Sequence, residues 1–143
     1  DRYALRAHKD DGVFCGFSFN MRHEELIYLF YLAVRHDQRG KGYGSALLND
    51  LFQQYPHHCI CADIESPQPQ ADNQIQRLQR QRFYLDRGFA DTGYGNLWYG
   101  VRYDILAAQR PFSPHAYQGA VDLLQTPRFP AKIFKREEGV EDE

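Results

Sequence analysis

Gln38-Arg39-Gly40-Lys41-Gly42-Tyr43-Gly44-Ser45-Ala46-Leu47-Leu48 follows closely on Leu26-Ile27-Tyr28-Leu29-Phe30-Tyr31-Leu32-Ala33-Val34, and the passage from one to the other decides the fold. The upstream run is apolar and aromatic throughout, which reads as a central strand buried on both faces. Downstream, Leu47, Leu48, Leu51, Phe52 and Tyr55 recur at helical spacing until Pro56 stops the pattern. Between them lies a loop with glycine at positions 40, 42 and 44. Glycine takes positive φ and lets the backbone approach a ligand closely. A helix beginning near Tyr43 leaves its first amide N–H groups unpaired. Those amides and the positive end of the helix dipole form an anion site, for which a pyrophosphate is the natural guest.

Working outward, Tyr3 to His8 alternates apolar and polar residues, and Lys9-Asp10-Asp11-Gly12 is a turn signal ending in Asp-Gly. Val13 to Phe19 is a second β-rich run, and Asn20 to Glu25 is polar and turn-like. With Leu26–Val34 these runs predict an antiparallel meander. Beyond the first helix, Cys59 to Ile64 reads as a strand and Ser66 to Gln70 as a loop. Asp72 or Asn73 caps a second helix running to about Arg87, with Gly88 as its stop. Thr92–Trp98 and Val101–Leu106 are further strands. Ser113-Pro114 starts a helix Ser113–Gln125, whose stripe of Tyr117, Ala120, Val121 and Leu124 needs a surface to cover, on this domain or on a second copy in a homodimer.

The order β-β-β-α-β-α-β-β-α predicts an α/β (α+β) fold, a single mixed and mostly antiparallel sheet flanked by helices. The expected organisation is a domain over residues 1–110, a C-terminal extension with one helix over 111–136, and an acidic tail over 137–143 with too little to bury to stay ordered. The chain opens on Asp1 and goes straight into a strand, so the native N-terminus is expected to lie upstream.

A length of 143 residues fits one domain with a real core. A net charge of −2 excludes a polyanion-binding surface as the chain's main character, so no nucleic-acid partner is expected. The three cysteines, Cys15, Cys59 and Cys61, form no C-x-x-C pair and no disulfide framework. His57-His58 stands beside two of them, but residues crowded on one strand rarely make a tetrahedral shell, so no metal is expected. Without a membrane-spanning run or a signal peptide, the expectation is a reduced, cytoplasmic protein with no membrane partner.

Two familiar phosphate loops are excluded. The P-loop string G-x-x-x-x-G-K-[ST] is absent, and the glycine spacing here is not the G-x-G-x-x-G of a dinucleotide-binding turn, which would also open a βαβ unit. A glycine-rich loop without a ligand is the bland alternative.

The stretch Gln38 to Leu48, preceded by Leu32-Ala33-Val34, resembles the acetyl-CoA signature of the GNAT N-acetyltransferases, whose core R-x-x-G-x-G/A is matched by Arg39, Gly42 and Gly44. Phe83-Tyr84-Leu85-Asp86-Arg87-Gly88-Phe89 resembles a second element of that family, F/L-Y-x-x-x-G-F. The resemblance covers about Tyr3 to Leu106. It implies acetyl-CoA as co-substrate and acetyl transfer to the primary amine of a small molecule. It also implies that the backbone of Leu32 and Val34 pairs with the pantetheine arm like an added strand. Arg39, Gly40, Lys41, Gly42, Tyr43 and Gly44, with Ser45 nearby, would hold the pyrophosphate. The Cys59 strand would diverge from Leu26–Val34 to open a slot for the thioester. Tyr84 would stand near the thioester sulfur as the general acid.

An alkylammonium must lose its proton before it attacks, which calls for a base or a water chain. Asp63 and Glu65 share a face near the end of their strand by alternation, and Glu65, nearer the loop, is the expected base; a cap on the Ser66–Gln70 turn is its bland alternative. Three departures stand out. The strand and helices that relatives place before the meander do not stand ahead of Tyr3 here, so the acceptor side is expected to be either truncated or built differently. Tyr28, Phe30 and Tyr31 occupy the central strand where some relatives carry a carboxylate. Arg77 stands where many have a cofactor-contacting Asn. The competing readings are an acyl-CoA-binding module without turnover and a nucleotide-phosphate binder using the glycine loop.

Overall fold

The computed structural model describes residues 2–124 and 131–136. The meander forms as β1 (Tyr3–Asp10), β2 (Val13–His23) and β3 (Leu26–Val34). Asp11 and Gly12 both take positive φ, 52° and 77°, the paired left-handed geometry of a tight hairpin turn. Behind β3, a 3₁₀ turn over His36–Gln38 leads to α1 (Tyr43–Gln54), followed by β4 (Cys59–Glu65), α2 (Gln74–Leu85), β5 (Ala90–Trp98), β6 (Val101–Ala108), α3 (Pro114–Asp122) and β7 (Lys132–Lys135).

The strands form one sheet in the order β1-β2-β3-β4-β6-β5-β7. Among the described residues only the β3–β4 pair is parallel; its neighbours on either side are antiparallel, so the sheet is mixed and mostly antiparallel. Alternation along the central strands sorts side chains onto two faces. Ile27, Leu29, Ile60, Ala62, Ile64 and Leu106 point to the face covered by α1 and α2, where Leu48, Leu51, Tyr84 and Phe89 meet them. Met21, Leu26, Tyr28, Cys59, Cys61 and Ile105 point to the other face, where Ala116, Tyr117, Ala120 and Val121 of α3 cover them.

The apolar stripe of α3 thus lies on the domain itself. Ser113 caps it, accepting from the Ala116 amide at 3.1 Å, with Pro114 in the first turn. The expected helix Ser113–Gln125 is shorter than its pattern, and Gln125 lies outside the described residues, as does the acidic tail over 137–143.

Two elements differ from the sequence reading. Asn20–His23 was expected as a turn and is strand. Asn20 pairs with Leu29, Arg22 with Ile27 and His23 with Leu26, so the backbone ladder overrides the polar side chains, and the turn is confined to Glu24-Glu25, with Glu24 at φ 56°. The extension was expected to add one helix, yet it also supplies β7, which pairs with β5 from Tyr94↔Lys135 to Leu97↔Lys132.

Candidate functional site

β3 and β4 pair only from Leu26↔Cys59 to Leu29↔Ala62. Beyond that point Phe30–Val34 and Asp63–Glu65 run on unpaired with each other, and the sheet forks. A bulge in β3 marks the fork, because Phe19 faces Tyr31 and Asn20 faces Leu29, leaving Phe30 without an opposite number. A bulge bends its strand and resets alternation. Phe30 therefore packs on the α3 face, Tyr31 is 62% exposed, and Leu32 packs on the α1/α2 face.

The Arg35 amide donates to Cys15 O on β2 at 2.7 Å. Backbone groups alternate between the two edges of a strand, so Val34 and Leu32 turn theirs towards the fork. This is the edge an added strand would need.

The loop after β3 delivers Gly42 as the residue before α1, in the left-handed region at φ 84°, ψ 9°. The first helical bond runs from the Ala46 amide to Gly42 O at 3.1 Å. The amides of Tyr43, Gly44 and Ser45 thus precede the helix's own hydrogen-bond ladder. They open on a cleft of about 520 Å³. Its walls are Leu32, Ala33 and Val34 of β3; Arg39, Gly40, Gly42, Tyr43, Gly44 and Ser45 of the loop and α1; and Gln76, Gln79, Arg80, Phe83 and Tyr84 of α2, with Arg87 from the turn that follows. Three of these residues are arginines and none carries a carboxylate, so the cleft favours an anion.

The cleft brings together every expected cofactor residue except Lys41, whose Nζ donates to Gln38 Oε1 at 3.1 Å. Tyr84 lines the cleft and is otherwise buried at 7% exposure, with its ring edge-on to Phe83 and Phe89. Burial pushes its hydroxyl up to about 12, so it keeps its proton at neutral pH.

Glu65 is not among the residues lining this cleft. Its Oε2 takes an ion pair from Arg77 Nη2 at 2.7 Å and a long contact from Asn73 Nδ2 at 3.5 Å. Arg77 also donates to Ser66 O at 2.9 Å, so the group fastens the start of α2 to the end of β4. Arg77, standing where relatives have an Asn, thus serves the frame around the fork.

Asp63, the first residue of β4 past the fork, is the enclosed carboxyl. Its Oδ2 accepts from Tyr28 Oη at 2.5 Å, Tyr117 Oη at 2.6 Å and, distantly, Asn96 Nδ2 at 3.4 Å. Its Oδ1 is shielded from solvent and has no hydrogen-bond partner among the described residues. Burial raises its carboxyl above the usual range, against the lowering effect of the Tyr117, Tyr28 and Asn96 hydrogen bonds. The sequence reading put Asp63 on one face with Glu65 near the end of the strand but missed this cluster, because Tyr117 arrives from α3. Arg80 and Arg87 were missed too, although their helical spacing from Phe83 and Tyr84 carried the signal.

A larger cavity, about 640 Å³, lies at the far end of the sheet among Glu24, Leu26, His57, Cys59 and Ser113. It holds none of the motif residues, and burial pushes the Cys59 thiol up to about 11, which keeps it unreactive. The cleft at the fork is therefore the candidate site. No group of three or more His, Cys, Asp or Glu placed to hold a metal occurs among the described residues, and no helix among them is long and apolar enough to cross a membrane.

The meander, the fork and the cationic cleft at the start of α1 define a class: a split-sheet domain whose cleft is suited to an anionic ligand. The family model for the acetyltransferase (GNAT) domain matches residues 3–91, more than half of the chain, and the chain belongs to that acetyltransferase family. Comparison with curated proteins by sequence finds no match. Among solved structures, the ribosomal-protein-S18-alanine N-acetyltransferase from Escherichia coli is similar, with TM-score 0.62 and 19% identity over 79% of this chain and 72% of that one. A GNAT-family protein from Bacteroides thetaiotaomicron has TM-score 0.62 and 18% identity, covering 99% of this chain and 76% of its own. An aminoglycoside 6'-N-acetyltransferase complexed with coenzyme A has TM-score 0.62 and 16% identity, covering 78% and 76%. At these identities the likeness is one of fold. The family membership makes the chain an acyltransferase.

Proposed function

We propose that the chain moves an acetyl group from acetyl-CoA to a primary amine of a small molecule. The observation that carries this reading is the cleft beside the β3–β4 fork, with the first amides of α1 and three arginines on its walls and no carboxylate. The residues present suit the co-substrate: an edge strand with free backbone groups for an amide-bearing arm, and a cationic helix start for a pyrophosphate. When bound, acetyl-CoA supplies an activated acyl group as its thioester.

The chain's own residues take the remaining roles. Leu32 and Val34 orient the pantetheine arm through their backbone, and the amides from Arg39 to Ser45 hold the pyrophosphate. Lys41, its side chain turned to Gln38, contributes through its backbone. Holding amine and thioester together on one rigid fork supplies much of the acceleration. Tyr84 holds a proton at Oη and gives it to the leaving sulfur. Glu65 has Oε2 tied to Arg77, while no hydrogen bond to its Oε1 occurs among the described residues, so we assign to Oε1 the proton of the incoming ammonium.

Calorimetric titration with acetyl-CoA, run beside a thiol-release assay over a panel of primary amines, tests the proposal. Binding with acetyl-CoA-dependent thiol release on at least one amine is the expected result. Binding without release across the panel would instead support an acyl-CoA-binding module, and preference for ATP or NAD over acetyl-CoA would support a nucleotide-phosphate binder.

A further inference from the structure

Arg87 stands two residues past the end of α2 and continues the helix's cleft-facing stripe, which runs through Gln76, Arg80, Phe83 and Tyr84. Its guanidinium is held in three ways. Nε donates to Ser45 Oγ at 2.6 Å, Nη1 donates to Phe83 O at 2.9 Å, and the group lies over the Phe83 ring, 4.0 Å from its centroid. The Phe83 ring in turn lies against Gly44: a Cβ on that glycine would stand 3.0 Å from two ring carbons. Gly44, Phe83 and Arg87 therefore form a stack, and the guanidinium is fixed beside the third residue of α1.

Two donors are left over. Nη2 of Arg87 has no protein acceptor among the described residues. Ser45 Oγ receives a hydrogen bond from a cation, so its own hydroxyl proton is free to donate and is polarised outward. Both lie on the wall of the cleft, beside the first-turn amides. A planar cation with a free N–H edge, pre-ordered by two hydrogen bonds and a stacked ring, is the group that suits phosphate oxygens.

We propose that Arg87 and Ser45 act as one unit that binds the pyrophosphate of acetyl-CoA, with Arg87 Nη2 and the Ser45 hydroxyl as its donors. The inference rests on the acetyl-CoA reading above. It adds a side-chain cation from the turn after α2 to a site that the glycine loop would otherwise serve through backbone amides.

The test is calorimetric binding of two probes, acetyl-CoA and acetyl-pantetheine, the second lacking the pyrophosphate. Arg87→Gln should weaken acetyl-CoA by roughly 10- to 100-fold, the scale of a lost charge-assisted hydrogen bond. It should leave acetyl-pantetheine unchanged, and the salt dependence of acetyl-CoA binding should become shallower. Ser45→Ala should weaken acetyl-CoA less, and the double variant should lose less than the sum of the two, because the residues act together. Arg87→Lys keeps the charge but not the fork, and should fall between wild type and Arg87→Gln. Wild-type affinity in Arg87→Gln would overturn the inference, as would an equal loss for both probes, since that pattern means the residue only supports the cleft wall. A wild type that binds no acetyl-CoA would overturn the underlying reading instead, which separates the two failures.

Discussion

Leu29 of β3 and Ala62 of β4 are the last residues of the parallel pair, and the strands part immediately beyond them. Past this point each strand has a backbone edge with no partner strand among the described residues. An unpaired edge inside a domain is costly unless a ligand or water satisfies it. On the β3 side that edge belongs to Leu32 and Val34. Acetyl-CoA should therefore slow hydrogen exchange at these two amides more than at Ile27 or Leu29, which are already within the paired region. Equal protection along the strand, or none, would mean the arm does not add to the β3 edge.

Gly42 and Gly44 should fail for different reasons. Gly42 has open space around a built Cβ but sits at φ 84°, so Gly42→Val strains the backbone by roughly 1–2 kcal/mol and distorts the turn into α1. Gly44 lies inside the helix, and a larger side chain there must displace Phe83. Gly44→Val should push the ring into the cleft. Both variants should keep the far-ultraviolet spectrum of the fold and lose acetyl-CoA binding by calorimetry. Unchanged affinity in either would remove the loop from the cofactor site.

The C-terminal helix holds the sheet through Tyr117, which is fully buried and donates to Asp63 Oδ2. Tyr117→Phe keeps the ring and removes the hydroxyl from an enclosed carboxyl. The expected cost is about 1–3 kcal/mol, the penalty for leaving a buried polar group less satisfied. Leu123→Ala, at a residue 44% exposed, should stay within about 0.5 kcal/mol. Thermal melts of the pair check this. Deleting everything from Pro111 onward should cost far more, since it uncovers Met21, Leu26, Tyr28 and Ile105 together and removes β7.

What could be read from the sequence was what is local. The β3 run, the glycine loop and the α1 stripe each carry their own signal in period, composition or φ preference, and the fork follows once the family resemblance is in hand. β7 was not legible, because Lys132-Ile133-Phe134-Lys135 is short and becomes a strand only by meeting the free edge of β5. The strand character of Asn20–His23 was hidden for the same reason: pairing with β3 decides it, and the side chains point to a turn. Asp63 shows the limit most clearly. Alternation put it on one face with Glu65, but the hydroxyl that binds it comes from a helix 54 residues away.

Asp63 should also leave a mark on stability. Burial raises its folded-state pKa above the unfolded value near 3.8. The folded protein then binds more protons than the unfolded chain, so the stability linked to Asp63 is fully present below about pH 4 and is lost as pH rises through the raised value. Asp63→Asn cannot titrate. The neighbours that could confuse the comparison, Tyr28, Tyr117 and Cys61, are all pushed up by burial, and Tyr103 is raised as well, so none ionises below neutrality. The melting-temperature difference, variant minus wild type, should therefore become more positive between pH 4 and pH 7.5. A flat or falling difference would show that the tyrosine hydrogen bonds outweigh burial.

The last test concerns the two proton-handling residues, whose kinetic signatures differ. Tyr84 keeps its proton to about pH 12 and lines the cleft, so Tyr84→Phe removes a donor to the leaving sulfur without altering the charge of the site. Turnover should fall with acetyl-CoA affinity retained, and raising the pH should not restore it, because no acid is regained. Glu65→Gln removes a base and also breaks the ion pair with Arg77. If Glu65 takes the ammonium proton, turnover should fall by roughly 10²-fold at neutral pH. The deficit should shrink as pH approaches the ~10 of a free alkylamine, which then attacks unaided. Arg77→Gln separates the two roles of Glu65, since it frees the carboxylate from its partner but leaves the base in place. If the ion pair only frames the fork, Arg77→Gln and Glu65→Gln should lose the same modest activity at every pH. A loss confined to Glu65→Gln, and rescued at high pH, is the outcome expected of a base. Wild-type turnover in Glu65→Gln at pH 7 would take the residue out of the mechanism and leave a water chain through the fork as the route for the proton.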